Sequence, residues 1–331
     1  GASMPSLGSG ARWGCGRLAV VEACEYRMEI LHLRPKHLLI TNLAVNHEDE
    51  FGNDLKLITR LFDSYLQINA ARLETVWVDQ SDPGTARLCL HGIDGVQSWG
   101  RPDSDWHAHG AQVASDRLQV RLLYRGRDAG VFHTRWSGLH LVRSLVPVLG
   151  MAKLLGLRDQ DIEAALLASR PLPRRYQILQ SCTSLEVVDD NARLPDQVAT
   201  TLATARARAG SNGRVVAVLG VWGMLNRRDL AGYSGAVANC DEVFVLPSTR
   251  FEAAQGGPEP DGADAALVDL IRCRGIGAQR LNSASEVAAL VSGEHRTVVV
   301  TLGYESFAQT FGAIHRELSV SRDVDAPLAL A

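Results

Sequence analysis

Between Ser184 and Thr301 four short apolar runs recur: Ser184–Val188, Arg214–Leu219, Glu242–Leu246 and Thr297–Thr301. Helical stretches are expected near 196–208, 229–239, 263–274 and 284–292. Runs such as VVAVLG and TVVVT are apolar at successive positions, so both faces of each strand must be buried. A parallel sheet covered by helices on both sides does that, and its crossovers need the helices that follow each run. The spacing therefore predicts a Rossmann-like α/β domain over 174–322.

The first half reads less uniformly. Arg17–Val21 and His37–Ile40 are apolar runs ending in Glu22 and in Thr41-Asn42, and both are expected as buried strands that deliver polar groups at their ends. From Asp54 to Ile68, Leu55, Leu57, Ile58, Leu61, Phe62 and Leu66 recur at helical spacing. Residues 74–134 contain TVWVDQ, RLQVRLLYRG and AGVFHT, divided by SDPG and GRPDSD turns, and are expected as antiparallel strands flanking the first sheet. Leu139–Leu155 and Asp159–Ala168 are expected helices, after which Arg170-Pro171-Leu172-Pro173 breaks the helical pattern. The first domain is thus set at 4–170 with a mixed sheet. The Gly- and Pro-rich stretch 251–263 is expected as a surface loop, and the tail after Asp323 is expected to fray.

Composition excludes several classes. With 46% hydrophobic and 21% charged residues the chain can bury real cores, and a net charge of -3 gives no field that would draw it to nucleic acid or an anionic membrane. No apolar run reaches the roughly 18 residues of a membrane span. The six cysteines form no C-x-x-C pair and are expected as reduced thiols. The expectation is a cytoplasmic protein with neither nucleic acid nor membrane as partner.

Four groups of residues could carry chemistry. Glu22 and His47 each follow an apolar run, and a carboxylate with an imidazole at the carboxyl edge of a parallel sheet suits a divalent cation; solvated surface groups are the bland alternative. Asp189 and Asp190 end a strand and could act as acid and base, or simply cap the turn that follows. The run from Gly220 to Asp229 joins a strand to a helix, where backbone N–H groups with Asn226, Arg227 or Arg228 could take an anion. His107 and His109 make an H-x-H pair without a third ligand nearby in sequence.

EACEY at Glu22–Tyr26 and TNLAVNHEDEF at Thr41–Phe51 resemble the central domain of the Mur ligases, especially the branch that joins an amino acid to UDP-N-acetylmuramate. The likeness continues in order through Asp105-Trp106, Trp136–Val142, Arg174-Arg175-Tyr176, Val187–Pro195 and Val300–Gly303. It implies a ligase-like central domain followed by a C-terminal domain that brings the incoming amino acid. It also implies ATP-driven amide formation through an acyl phosphate, with Glu22 and His47 as Mg2+ ligands. The positions that match the family's substrate and nucleotide contacts are His140, Asp190, Asn191 and Arg193.

Departures from the pattern are equally specific. A P-loop requires glycine directly before its lysine, yet Lys36, Lys56 and Lys153, the only lysines, follow Pro35, Leu55 and Ala152. Too few residues stand ahead of Glu22 for the strand, loop and helix, about 30 residues, that carry it, and the family's UDP-binding domain has no counterpart. Histidine-asparagine-x-x-asparagine becomes His140-Leu141-Val142-Arg143-Ser144, which loses two amides, and Arg193-Leu194 replace paired histidines. The expectation is a truncated ligase framework for which ATP is in doubt. Three readings stay open: a ligase completed by another subunit, a binding protein for an amino-acid or small peptide-like ligand, and ATP-independent acyl transfer or hydrolysis. An exposed sheet edge further predicts a homo-oligomer or a hetero-complex with a ligase-like subunit.

Overall fold

The computed structural model describes residues 4, 8–45, 48–52, 54–113, 118–136, 140–170, 172–221, 230–247, 262–291, 295–304 and 307–320. The chain divides into two compact units, Gly1–Pro171 and Leu172–Ala331. Both are α/β, and no described helix is long and apolar enough to cross a membrane.

In the first unit β1 (His37–Ile40), β2 (Thr75–Asp79), β3 (Val96–Trp99) and β4 (Trp106–Ala108) pair in parallel, in that order. The sheet then turns antiparallel through β6 (Leu118–Tyr124), with β5 (Gln112–Val113) and β7 (Arg127–Thr134) paired to it. The short helix α1 (Glu48–Phe51) and then α2 (Leu55–Asn69) follow β1. Asp54 caps α2 by accepting the Lys56 N–H at 2.8 Å, and Ile58, Phe62 and Leu66 bury its inner face with Leu38 and Ile40. The second face packs on α3 (His140–Leu154) and α4 (Asp159–Ala168) around Trp77, Trp99 and Trp106. Gly150 makes that packing possible, because a Cβ there would lie 2.7 Å from Trp77 and 2.9 Å from Trp106.

The second unit is a six-stranded sheet in the order β12-β11-β10-β13-β9-β8. β9 (Leu185–Asp190), β10 (Arg214–Gly220), β11 (Glu242–Val245), β12 (Gly277–Arg280) and β13 (Thr297–Gly303) are parallel, and β8 (Gln177–Ser181) is antiparallel to β9. Helices α5 (Pro195–Ala209), α6 (Leu230–Ala236) and α7 (Ala263–Arg272) pack side by side, while α8 (Ala284–Val291) pairs with α9 (Ala308–Val320). The chain steps in one direction from β9 to β12 and then returns, so right-handed crossovers place α8 on the face opposite α5, α6 and α7. β13 therefore enters between β9 and β10 at a switch point, where the carboxyl ends of such sheets form ligand crevices. The crevice floor is tight: a Cβ on Gly303, whose φ is +136°, would fall 2.0 Å from the Gly220 carbonyl oxygen.

The expected α/β class with a mixed first sheet and a Rossmann-like second domain is what the molecule has. Two expectations fail. TVWVDQ forms β2, which runs parallel to β1 and β3; residue alternation reports which face is buried and carries no strand direction. Arg17–Val21 is not a strand at all. It is exposed and outside any sheet, with Val20 98% and Val21 64% accessible. Most of the 251–263 stretch and the tail after Asp323 lie outside the described residues.

Candidate functional site

Of the residues singled out in the sequence, the structure gathers Asp190, Asn191 and Arg193 at the carboxyl end of β9. Asp190 is buried, and its carboxylate accepts the N–H groups of Tyr176 and Ala192, both at 2.8 Å, with the Thr201 hydroxyl at 3.3 Å. Burial pushes its pKa above the usual carboxylate range, against the Tyr176 N–H, the Arg175 charge and the remaining donors, which favour the anion. These bonds tie the 174–176 turn and the entry of α5 to the strand end. The turn needs such anchoring, since Arg174 and Tyr176 are non-glycine residues at φ 57° and 48°. Gln197 reaches back to the Arg193 and Leu194 N–H groups at 3.1 and 3.3 Å, and Pro195 opens α5, so the loop 191–194 is fixed at both ends.

Asp189 anchors a second set of contacts. Arg174 donates from Nε to Asp189 Oδ2 at 3.0 Å and from Nη2 to the Gly303 carbonyl at 2.8 Å, and its guanidinium lies 5.7 Å from the Phe311 ring centre. Thr301 donates to Asp189 Oδ1 at 2.9 Å. With that proton committed, His315 Nε2, 3.0 Å from the Thr301 oxygen, must carry hydrogen and donate. Burial lowers the His315 pKa; Asp189 opposes the shift and Arg174 and Arg316 add to it. Arg174, Thr301 and His315 were not among the sequence candidates. Arg174 and Thr301 had a signal in the Arg174-Arg175-Tyr176 and Val300–Gly303 motifs, whereas His315 had none and reaches the set from the last described helix through Thr301.

Arg193 differs from these engaged groups. Its guanidinium lies 5.0 Å from the centre of the Tyr304 ring and has no carboxylate partner among the described residues. The Asn191 side chain likewise makes no hydrogen bond among them, while its N–H is held by the Arg174 carbonyl at 2.8 Å. An unpaired arginine stacked on an aromatic ring, beside a free amide, can receive a carboxylate. Further along the same edge, at the ends of β11 and β12, a hollow of about 340 Å³ is lined by uncharged residues including Leu246, Leu281, Phe307, Gln309 and Thr310.

The other candidates stand apart. Glu22 lies on the exposed stretch outside the sheet. His140 opens α3, with its side chain outside the described residues, as are His47, Asn226, Arg227 and Arg228 in full. Among the described residues no three His, Cys, Asp or Glu side chains converge as a metal centre.

Fold and site together define a two-unit α/β scaffold whose second unit is a doubly wound sheet with Asn191 and Arg193 at its carboxyl edge. Residues 174–304 match the family of the Mur ligase glutamate ligase domain. The UDP-N-acetylmuramate–L-alanine ligase of Halorhodospira halophila is 29% identical over 313 residues, covering 92% of this chain and 63% of its own length. The enzyme of that name from Parasynechococcus marenigrum is 29% identical over 259 residues, covering 75% and 54%. The crystal structure of UDP-N-acetylmuramate–alanine ligase from Thermotoga maritima superposes with a TM-score of 0.67 at 19% identity, over 88% of this chain and 61% of that one. Residues 174–304 thus carry the Mur ligase glutamate ligase domain, and the chain as a whole is similar to the Mur ligases. It spans less than two thirds of the length of these three relatives.

Proposed function

We propose that the chain is a scaffold of the carboxylate–amine, amide-forming ligases that does not hold ATP by itself and works with a further ligase-like subunit. The observation that carries this reading is that none of the three lysines follows a glycine, so these 331 residues contain no P-loop. Replacement of both asparagine positions after His140 by Leu141 and Ser144 points the same way. Arg193 on Tyr304, with Asn191 beside it, receives the carboxylate of an amino acid or small peptide, and Asp190 fixes the loop that carries both. Glu22 and His47 would hold Mg2+, which supplies charge neutralisation to phosphate oxygens. Two protein donors leave most of an octahedral shell to water and phosphate, as suits this ion. His140, Asn226, Arg227 and Arg228 complete the set proposed to meet substrate.

Calorimetry with Mg-ATP tests the central claim. No heat of binding is expected from the chain alone, and micromolar affinity would overturn it. A non-catalytic binding protein is the second reading, favoured by the Glu22 carboxylate standing free of any strand. Phosphate release on adding a ligase-like subunit, an amino acid and Mg-ATP separates the two.

A further inference from the structure

Arg193 stands in the loop 191–194 between β9 and α5, where no strand ladder completes its backbone hydrogen bonds. Its N–H leans on Gln197 Oε1 at 3.1 Å, and the same oxygen also serves the Leu194 N–H at 3.3 Å. Gln197 is exposed, so water competes for that oxygen and the hold is soft. The guanidinium lies over the Tyr304 ring, and the Tyr304 main chain is itself fixed by its N–H to the Gly220 carbonyl at 3.0 Å.

The Arg193 carbonyl is held from another direction. It accepts a hydrogen bond from the hydroxyl of Tyr233, which stands 40 residues further along the chain on α6. Tyr233 is 1% exposed, and α6 packs against α5 and α7, so the phenol reaches the loop from a fixed point. A buried tyrosine hydroxyl needs a partner. Here the partner is the main chain of the residue that presents a cation without a carboxylate. A planar guanidinium that receives a carboxylate through two parallel hydrogen bonds tolerates little displacement of the backbone it springs from.

We infer that Tyr233 is a positioning residue of the carboxylate site, given the role proposed above for Arg193: it meets no ligand and acts through the Arg193 main chain. Without its hydroxyl, Arg193 is left on the shared Gln197 oxygen and the Tyr304 ring, and the guanidinium is no longer preorganised for its ligand.

Titration of the whole chain with glycine, the smallest bearer of an α-carboxylate, and with glycinamide, which lacks that charge, tests the assignment; amide shifts of the isotope-labelled protein report both affinities. Tyr233→Phe keeps the buried ring and should weaken glycine about fivefold, the value of one ordinary hydrogen bond, while leaving glycinamide unchanged. In an Arg193→Ala background, where glycine affinity is already reduced, adding Tyr233→Phe should weaken it no further. The stability lost with the hydroxyl should be the same in both backgrounds, because the carbonyl at position 193 is present in each. Glycine binding that falls with Arg193→Ala but is indifferent to Tyr233→Phe would overturn the role of Tyr233 and leave the carboxylate site standing. An effect of Tyr233→Phe that persists beside Arg193→Ala, or that falls equally on glycinamide, would make the tyrosine purely structural and overturn it too. Glycine binding indifferent to Arg193→Ala would remove the carboxylate site itself, and the positioning role with it.

Discussion

Two acidic sites that follow apolar runs in the sequence behave oppositely, Asp189-Asp190 in the second unit and Glu22 in the first. In the second unit Asp189 and Asp190 are buried, and every oxygen of the pair accepts at least one hydrogen bond within the unit. Glu186, further back on the same strand, is fully buried and held by Arg208 at 2.5 and 2.6 Å and by Arg296 at 3.1 Å. In the first unit Glu22 hangs on an exposed stretch that has no place in the sheet. Carboxylates of the first kind hold the crevice together, and the side chains of Arg193 and Asn191 stand outside that hydrogen-bond network among the described residues. Glu22 makes no such contact among the described residues.

Substitutions can break this contrast. The largest effect is expected from Arg208→Ala, which leaves Glu186 buried with one arginine where it had two; losing one partner of a buried pair costs about 3 to 5 kcal/mol. Denaturant unfolding should show that loss in the transition of the second unit. Asp190→Ala abandons the Tyr176 and Ala192 N–H groups and should cost about 1 to 3 kcal/mol, read in the same way. A neutral result there would mean that the 174–176 turn is held by other contacts. Arg193→Ala, by contrast, should leave the melting temperature within error and weaken amino-acid or peptide binding by about tenfold, the value of one charge-assisted contact. Glu22→Ala should likewise change stability by less than about 0.5 kcal/mol.

The fold was legible where burial on both faces wrote itself into the residues. β9, β10, β11 and β13 are the interior strands of the second sheet, and their apolar runs place them within two residues of the observed bounds. Its edges were not legible: β12, GAQR, has almost no apolar content, and β8, QILQS, is half polar. Arg17–Val21 fails for the converse reason, since strand-like composition creates no strand without a neighbour to complete its hydrogen bonds. At the site, Asp190, Asn191 and Arg193 were found because they are contiguous in a motif. Thr301 is 112 residues from Asp189 and reaches it only because β13 inserts beside β9, an order that no local pattern encodes.

The smallest expected effect concerns His315, and it tests whether the Asp189 set is purely structural. Burial lowers its pKa from 6.5 in the fold, with Asp189 pulling the other way. As pH falls below 6.5 the unfolded chain takes up a proton before the folded chain does, so stability contributed by this histidine is full above that pH and declines below it. Asp190 and Glu242 have folded values raised by burial, so protonation of those groups works in the opposite direction and blunts the wild-type slope. The difference between wild type and His315→Gln isolates the imidazole, because glutamine can still donate to Thr301 but cannot titrate. Melting temperatures between about pH 5 and 7.5 should fall more steeply with acid in the wild type than in the variant. Equal slopes would mean that His315 takes up its proton as readily folded as unfolded, and that the contact with Thr301 does not depend on a neutral ring.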